Sequence, residues 1–412
     1  MINFSRHKLN NGLTILVHRD DTTPMAALNI AYNVGSRDED PNRTGFAHLF
    51  EHLMFGGSKN IPVYDEPLQR VGGDNNAYTT NDLTNYYLTL PADNLETGFW
   101  LESDRMLELD FCQKSLDVQK NVVIEEFKQR YLNQLYGDSF ALLRALAYKE
   151  HPYQWPTIGK DINHIEEATL EHVKDFFFSH YAPNNAVLVA SGNVNTDEVL
   201  AYAEKWFGSI PRREVTPRNL PVEPPQTEYR FQEVKKDVPL DAIYMAWHMC
   251  DRLSPEFHTT DLISDVLSNG QSSRLFRRLV IEQQLFTELD AYISGDTDAG
   301  LFIVSGKLNP EVTHIQAQQA IEKEIAIISK EPVSESELEK VKNKVEANLL
   351  YSEINYLTKA MNLANYEILG SADMINSQAQ HYREVTPEKL LSVAQKIFVK
   401  SNQSVIHYHK QS

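Results

Sequence analysis

The segment Pro24–Val34 alternates with period two, and Leu28, Ile30, Tyr32 and Val34 fall on one face, which predicts a half-buried strand. Pro239–Met249, 215 residues on, repeats the pattern, with Ile243, Met245, Trp247 and Met249 in the matching positions. Ala77-Tyr78 and Ala291-Tyr292 form a second pair, 214 apart, each followed by an apolar run, Tyr86–Leu90 and Leu301–Val304. A third pair begins at Thr169 and Thr386, which open amphipathic helices over Leu170–Phe178 and Leu390–Phe398. Three anchors at nearly one offset predict a duplicated chain. Pro211, Pro217, Pro221, Pro224 and Pro225 crowd the junction, as in a stiff, extended linker. The expected division is therefore a first domain over 1–215, a linker over 216–226 and a homologous second domain over 227–412. Strands that pair with neighbours and helices gathered on one face predict an α+β fold of two α/β sandwich domains. In the second half, Pro310 is expected in the first turn of a helix over Glu311–Ser329, and Glu335–Ile368 reads as mostly helical.

A helical pattern over Thr44–Phe55, closed by Gly56-Gly57, carries His48, Glu51 and His52. Positions i, i+3 and i+4 share one helix face, so the three side chains project together. Two imidazoles one turn apart can hold one Zn²⁺, and a carboxylate beside them can take a proton from water at the metal. At offsets of 215 and 214 the second half carries no histidine in these positions, so a single half is expected to hold the chemistry. A catalytic zinc takes three protein ligands, and the third must come from elsewhere. Lys114–Arg130 reads as a helix with Val118, Val122 and Val123 on its apolar face. Glu126, four residues after Val122, continues that stripe, where a carboxylate is costly unless paired or metal-bound. A surface pair Glu125-Glu126 is the plainer alternative.

Composition narrows the choice of function. Apolar residues make up 42% of 412, ordinary for globular chains, and no apolar run approaches the ~18–20 residues of a membrane span. Two cysteines, Cys112 and Cys250, form neither a disulfide framework nor a thiolate cluster. A net charge of -18 argues against nucleic acid as a partner. Met1–Arg6 shows no apolar leader pattern, so a cytoplasmic location is expected, with a periplasmic or organellar one open.

The chain resembles the pitrilysin/insulinase family of inverted-motif zinc peptidases, in the short two-domain branch of the mitochondrial processing peptidase. The resemblance covers nearly the whole chain. It is carried by Asn11–Thr14, Gly45–His52, Asn76–Thr79, Val122–Glu126, His151–Tyr153 and Tyr181–Asn185. It implies that family's metallohydrolase fold, one Zn²⁺ per chain on His48, His52 and Glu126, and Glu51 as general base. It also implies a clamshell closed around an unfolded peptide, whose backbone pairs with the edge strand at Asn76, Ala77, Tyr78 and Thr79. Two features depart from the family pattern. The usual second glutamate, seven residues before the ligand glutamate, is Gln119, which keeps the shape and loses the charge. An Arg and Tyr that contact substrate in active relatives are here Val280 and Thr287; Arg277, Arg278 and Tyr292 lie nearby without the right spacing.

The leading expectation is a zinc endopeptidase acting on short unfolded peptides, the metal-bearing half of a dimer. The missing Arg and Tyr point to a homologous partner chain that supplies them, with a homodimer as the other arrangement. Two other readings are a non-catalytic core or assembly subunit, which predicts eroded ligands, and a zinc hydrolase of small molecules, for which the sequence shows no specificity groups.

Overall fold

The computed structural model describes residues 1–215 and 217–411. Thr216, the first residue of the expected linker, lies outside the described residues, and Pro217–Gln226 forms no helix or strand. Eleven strands are described: β1 Ser5–Lys8, β2 Thr14–Arg19, β3 Met25–Tyr32, β4 Asp74–Thr79, β5 Thr84–Pro91, β6 Ala186–Gly192, β7 Arg230–Lys236, β8 Ala242–His248, β9 Phe286–Ile293, β10 Leu301–Leu308 and β11 Gln403–Lys410. They make two sheets, ordered β1-β2-β6-β3-β5-β4 and β7-β11-β8-β10-β9. Apart from β1, the two orders correspond strand for strand. In each, one pair is parallel (β2 with β6, β7 with β11) and the rest are antiparallel. The duplication read from the sequence is thus present in the topology, and the fold is α+β with two sheets.

Packing divides the chain into two units, and each is discontinuous. The first comprises 1–129, 155–220 and 350–377; the second comprises 130–154, 221–349 and 378–412. They cross the contiguous division at 215 and 227 in two places. In the first unit, the helix Tyr356–Leu369 lies on the sheet, where Ala360, Leu363 and Ala364 pack against Leu16, Ala27, Ala31, Val187 and Val189. Arg6 pairs with Glu367 at 2.9 Å and Lys359 with Asp20 at 2.6 Å, while Asn376 bonds both backbone groups of Ile2. In the second unit, the helix Ser139–Ala147 covers the corresponding face, with Leu143 and Ala147 against Ala242, Tyr244, Ala246 and Ile406. The strand expected to be half-buried is therefore buried on both faces: Ala26 through Tyr32 are 0% exposed. The alanines of its second face are small because a helix lies close over them. The opposite face of the second sheet receives Ile243, Met245, Trp247 and Met249, as the pattern indicated.

Helix limits differ in places. The helix expected from Pro310 starts at His314, because Glu311 is left-handed (φ 73°) and Thr313 with Gln316 forms a capping box. The stretch Glu335–Ile368 is two helices, Glu335–Ser352 and Tyr356–Leu369, the second capped by the Asn355 side chain. The helix over Lys114–Arg130 is regular over Gln113–Phe127 and widens to π geometry at Lys128–Asn133. Among the described residues no helix is long and apolar enough to cross a membrane.

Candidate metal centre

The helix Phe46–Leu53 buries Phe46, Ala47, Leu49, Phe50 and Leu53, which leaves His48, Glu51 and His52 on its one polar stripe. Its N-terminus is set by a cap from outside the helix. Gly45 occupies the N-cap at φ 91° and brings no side chain; a Cβ there would stand 2.5 Å from the Ile158 carbonyl oxygen. The orphan amides are met by Glu39, whose carboxylate accepts from Gly45 N at 2.9 Å and Ala47 N at 2.8 Å. Burial pushes the Glu39 carboxyl up to about 8, against the pull of those two amides. Thr44 is fixed in turn by His164 Nδ1, which accepts from its amide at 3.0 Å.

The second helix of the site is Gln113–Phe127. It approaches the chain closely just past the histidine helix: a Cβ on Gly56 would meet Ser115 Oγ at 2.4 Å, so any larger residue there would make the serine side chain turn away. The buried positions of this helix are Leu116, Val123 and Ile124. Val118 and Val122, expected on the buried face, are 50% and 45% exposed, because the helix turns its other side to the first unit's core. Glu126 therefore enters the interior as the third residue after Val123. Glu125 points outward and pairs with Lys128 at 2.7 Å.

These two helices bring His48, His52 and Glu126 together. Their donor atoms all lie within 4.8 Å of one another; His48 Nε2 and His52 Nε2 stand 3.6 and 3.4 Å from Glu126 Oε2. Two donors ~2.0–2.1 Å from one tetrahedral ion are themselves about 3.3–3.4 Å apart, so this donor set fits zinc. The side chains are 12%, 24% and 19% exposed, so the cluster is partly open to solvent rather than sealed. Glu51 stands beside the cluster, and Thr79 Oγ1 donates to its Oε2 at 2.5 Å.

Thr79 belongs to β4, the edge of the first sheet, so the expected edge strand and the expected base are joined by one hydrogen bond. Asn76 Oδ1 accepts from the Ala77 amide, and Tyr78 meets Asn365, where burial raises its phenol. Gln119 lies two turns before Glu126, with Nε2 3.8 Å from where a Gly56 Cβ would stand. Val280 packs on the core of the second unit, and Thr287 Oγ1 donates to the Lys307 carbonyl at 3.3 Å. Arg277 and Arg278 are committed to Glu282 and Glu324. In the helix Phe257–Ser268, the residues in the same places as His48, Glu51 and His52, counted from the first helical residue, are Thr259, Leu262 and Ile263, all buried. Glu39 is the site residue the pattern of the sequence did not yield; a glycine at the N-cap, with a run of acids just before it, was the available signal.

Comparison with known proteins places the chain in a family. The family model described as Insulinase (Peptidase family M16) matches residues 14–161, and that described as Peptidase M16 inactive domain matches 167–345. The zinc protease PqqE of Helicobacter pylori is 27% identical over 98% of this chain and 91% of its own length. The beta subunit of the Saccharomyces cerevisiae mitochondrial-processing peptidase is 29% identical over 50% of this chain and 45% of its own. The crystal structure of a protease from Helicobacter pylori superposes with a TM-score of 0.93 at 25% identity, covering 99% of this chain and all of that one. The chain belongs to peptidase family M16, the pitrilysin/insulinase family, as a two-domain member.

Proposed function

We propose that the chain is a zinc-dependent endopeptidase of the inverted-motif class, hydrolysing short unfolded peptides. The observation that carries this reading is the convergence of His48, His52 and Glu126 donor atoms beside a carboxylate that is not one of them. Zn²⁺ held there supplies a Lewis acid that polarises the scissile carbonyl and acidifies water. Glu51 accepts a proton from the attacking water and returns one to the leaving amine. The Thr79 hydroxyl holds the Glu51 carboxylate in one orientation. An extended peptide adds to the free edge of β4 and thereby comes to lie next to Glu51; strand addition of this kind binds backbone and reads little sequence. Glu51→Gln should retain metal and lose turnover of a quenched peptide by orders of magnitude, since an amide takes no proton. Turnover preserved in that variant would move the base elsewhere.

The partner belongs to the same proposal. Val280 and Thr287 supply neither a guanidinium nor a phenol to steady a developing oxyanion. We infer that a homologous chain brings both, so the purified chain alone should be weakly active and should gain with its partner. High turnover by the lone chain, unchanged by any homologous chain, would count against a heterodimer and for a self-sufficient homodimer.

A further inference from the structure

A second cluster of metal-ligating side chains stands in the other unit, with no counterpart in the peptidase reading. His407 and His409 occupy alternate positions of β11 and so share a face of the sheet. The same face carries Val405 into the core, while Ile406 and Tyr408 point to the other side. The helix His314–Ile328 begins above this face, and its first residue, His314, lies against both histidines. Ring centroids are 4.7 Å apart to His407 and 4.2 Å to His409, and one ligand nitrogen from each of the three lies within 4.8 Å of the other two.

The hydrogen bonds around the cluster fix tautomers. His314 Nε2 faces the carbonyl oxygens of Ala242 (3.1 Å) and Tyr408 (3.3 Å), so it carries the proton and Nδ1 keeps the lone pair. Gln318, one turn along the same helix, donates through Nε2 to the Glu322 carboxylate at 2.8 Å. Its Oε1 is therefore the atom facing His407 Nε2 at 2.8 Å, and His407 Nδ1 is likewise left as a lone pair. His409 Nε2 is buried without a hydrogen bond, with Glu233 Oε1 3.5 Å away. An imidazole that donates one N–H to a fixed oxygen and turns the other nitrogen inward is the arrangement that orients metal-bound histidine. An oxygen is at hand too: Asp241 accepts from Lys410 N through Oδ1 at 2.7 Å, leaving Oδ2 3.7 Å from His314 Nδ1.

We propose that His314, His407 and His409 form a second metal site, which takes one divalent first-row transition ion favouring imidazole nitrogen, such as Zn²⁺ or Ni²⁺. Asp241 is placed to add an oxygen, and Gln318 and Glu233 act as positioning residues. All of these groups belong to the second unit.

The test starts from the His48→Ala/His52→Ala chain, in which the first site is disabled. After chelation, it is titrated with Zn²⁺ or Ni²⁺, and bound ion and thermal midpoint are recorded. One ion per chain and a raised midpoint are expected. Adding His409→Gln, at the open end of the strand, should weaken that binding at least about tenfold. In ¹⁵N-histidine spectra of the His48→Ala/His52→Ala chain, the resonances that shift with Zn²⁺ should be those of His314, His407 and His409. Absence of a bound ion, or an ion retained at full affinity with His409→Gln and leaving those three resonances unmoved, overturns the proposal. The outcome is separable from the peptidase reading. An ion lost with His409→Gln belongs here, whereas turnover follows Glu51 and the first site.

Discussion

Residues 350–377 cover the sheet of the unit that holds the candidate metal centre, although they follow its last strand by more than 150 residues in sequence. Leu363 is fully buried against Leu16, Ala27, Ala31, Val187 and Val189. Leu363→Ala leaves a cavity there and should cost about 2–5 kcal/mol. Removing the segment altogether uncovers Ile2, Leu16, Val187 and Val189 along with the loss of Leu363 and Ile375. Six large aliphatic side chains at about 1.5–3 kcal/mol each come to about 9–18 kcal/mol, comparable with the whole stability of about 5–15 kcal/mol of a typical domain. The fragment 1–215 should therefore show no cooperative unfolding transition and hold no stoichiometric zinc. Guanidinium titration of full-length Leu363→Ala, followed by tryptophan fluorescence, measures the smaller perturbation, because Trp100, Trp155 and Trp206 all report on this unit. Amide exchange should locate the loss in β3 and β6. A 1–215 fragment that unfolds cooperatively at the full-length midpoint and binds one zinc would refute the reasoning.

Two further outcomes are expected. Lys359 holds the Asp20 carboxyl well below the usual carboxylate range. Its stabilisation is therefore present above about pH 4 and lost as pH falls through the depressed folded value. Asp20→Asn should lower the thermal midpoint at neutral pH, and the gap to wild type should close in acid; a pH-independent gap would refute the pairing. Arg105 and Glu102, each 1% exposed, form a buried pair that also receives the Tyr64 hydroxyl at 2.5 Å, with the guanidinium over the rings of Tyr64 and Tyr86. Arg105→Met strands a buried carboxylate and should cost about 3–5 kcal/mol by denaturant titration, part of it regained in Arg105→Met/Glu102→Met; a near-neutral single variant would show that the pair is not buried in solution.

The parts of the site that are local in sequence were legible in it. His48, Glu51 and His52 lie within one helical turn and a half, where spacing alone decides which side chains share a face. Glu126 was also within reach, although by the phase of Val123 and Ile124 and not of Val122, which faces outward. Glu39 has no period to betray it, because its cap is supplied from a preceding loop; only the N-cap glycine after a run of acids signals it. The second face of β3 misled for a related reason. Ala27 and Ala31 look neutral in an alternating pattern, and the helix that buries them is set by tertiary packing some 330 residues away. At Pro310 the local signal falls one turn ahead of the helix: the capping box Thr313–Gln316 outweighs a proline that sits in the preceding turn.

The exchange of covering helices also sets an order of events during synthesis. The second unit's cover, Ser139–Ala147, leaves the ribosome before any strand it will lie on. The first unit has the reverse sequence: its sheet is complete at Gly192, and its cover ends only at Leu369. At about 5–20 residues per second, the finished strands wait about 9–35 s for the segment that shields them. During that interval the face bearing Leu16, Ala27, Ala31, Val187 and Val189 is bare apolar sheet on a nascent chain. The half that holds the candidate metal centre is thus made first and sealed late.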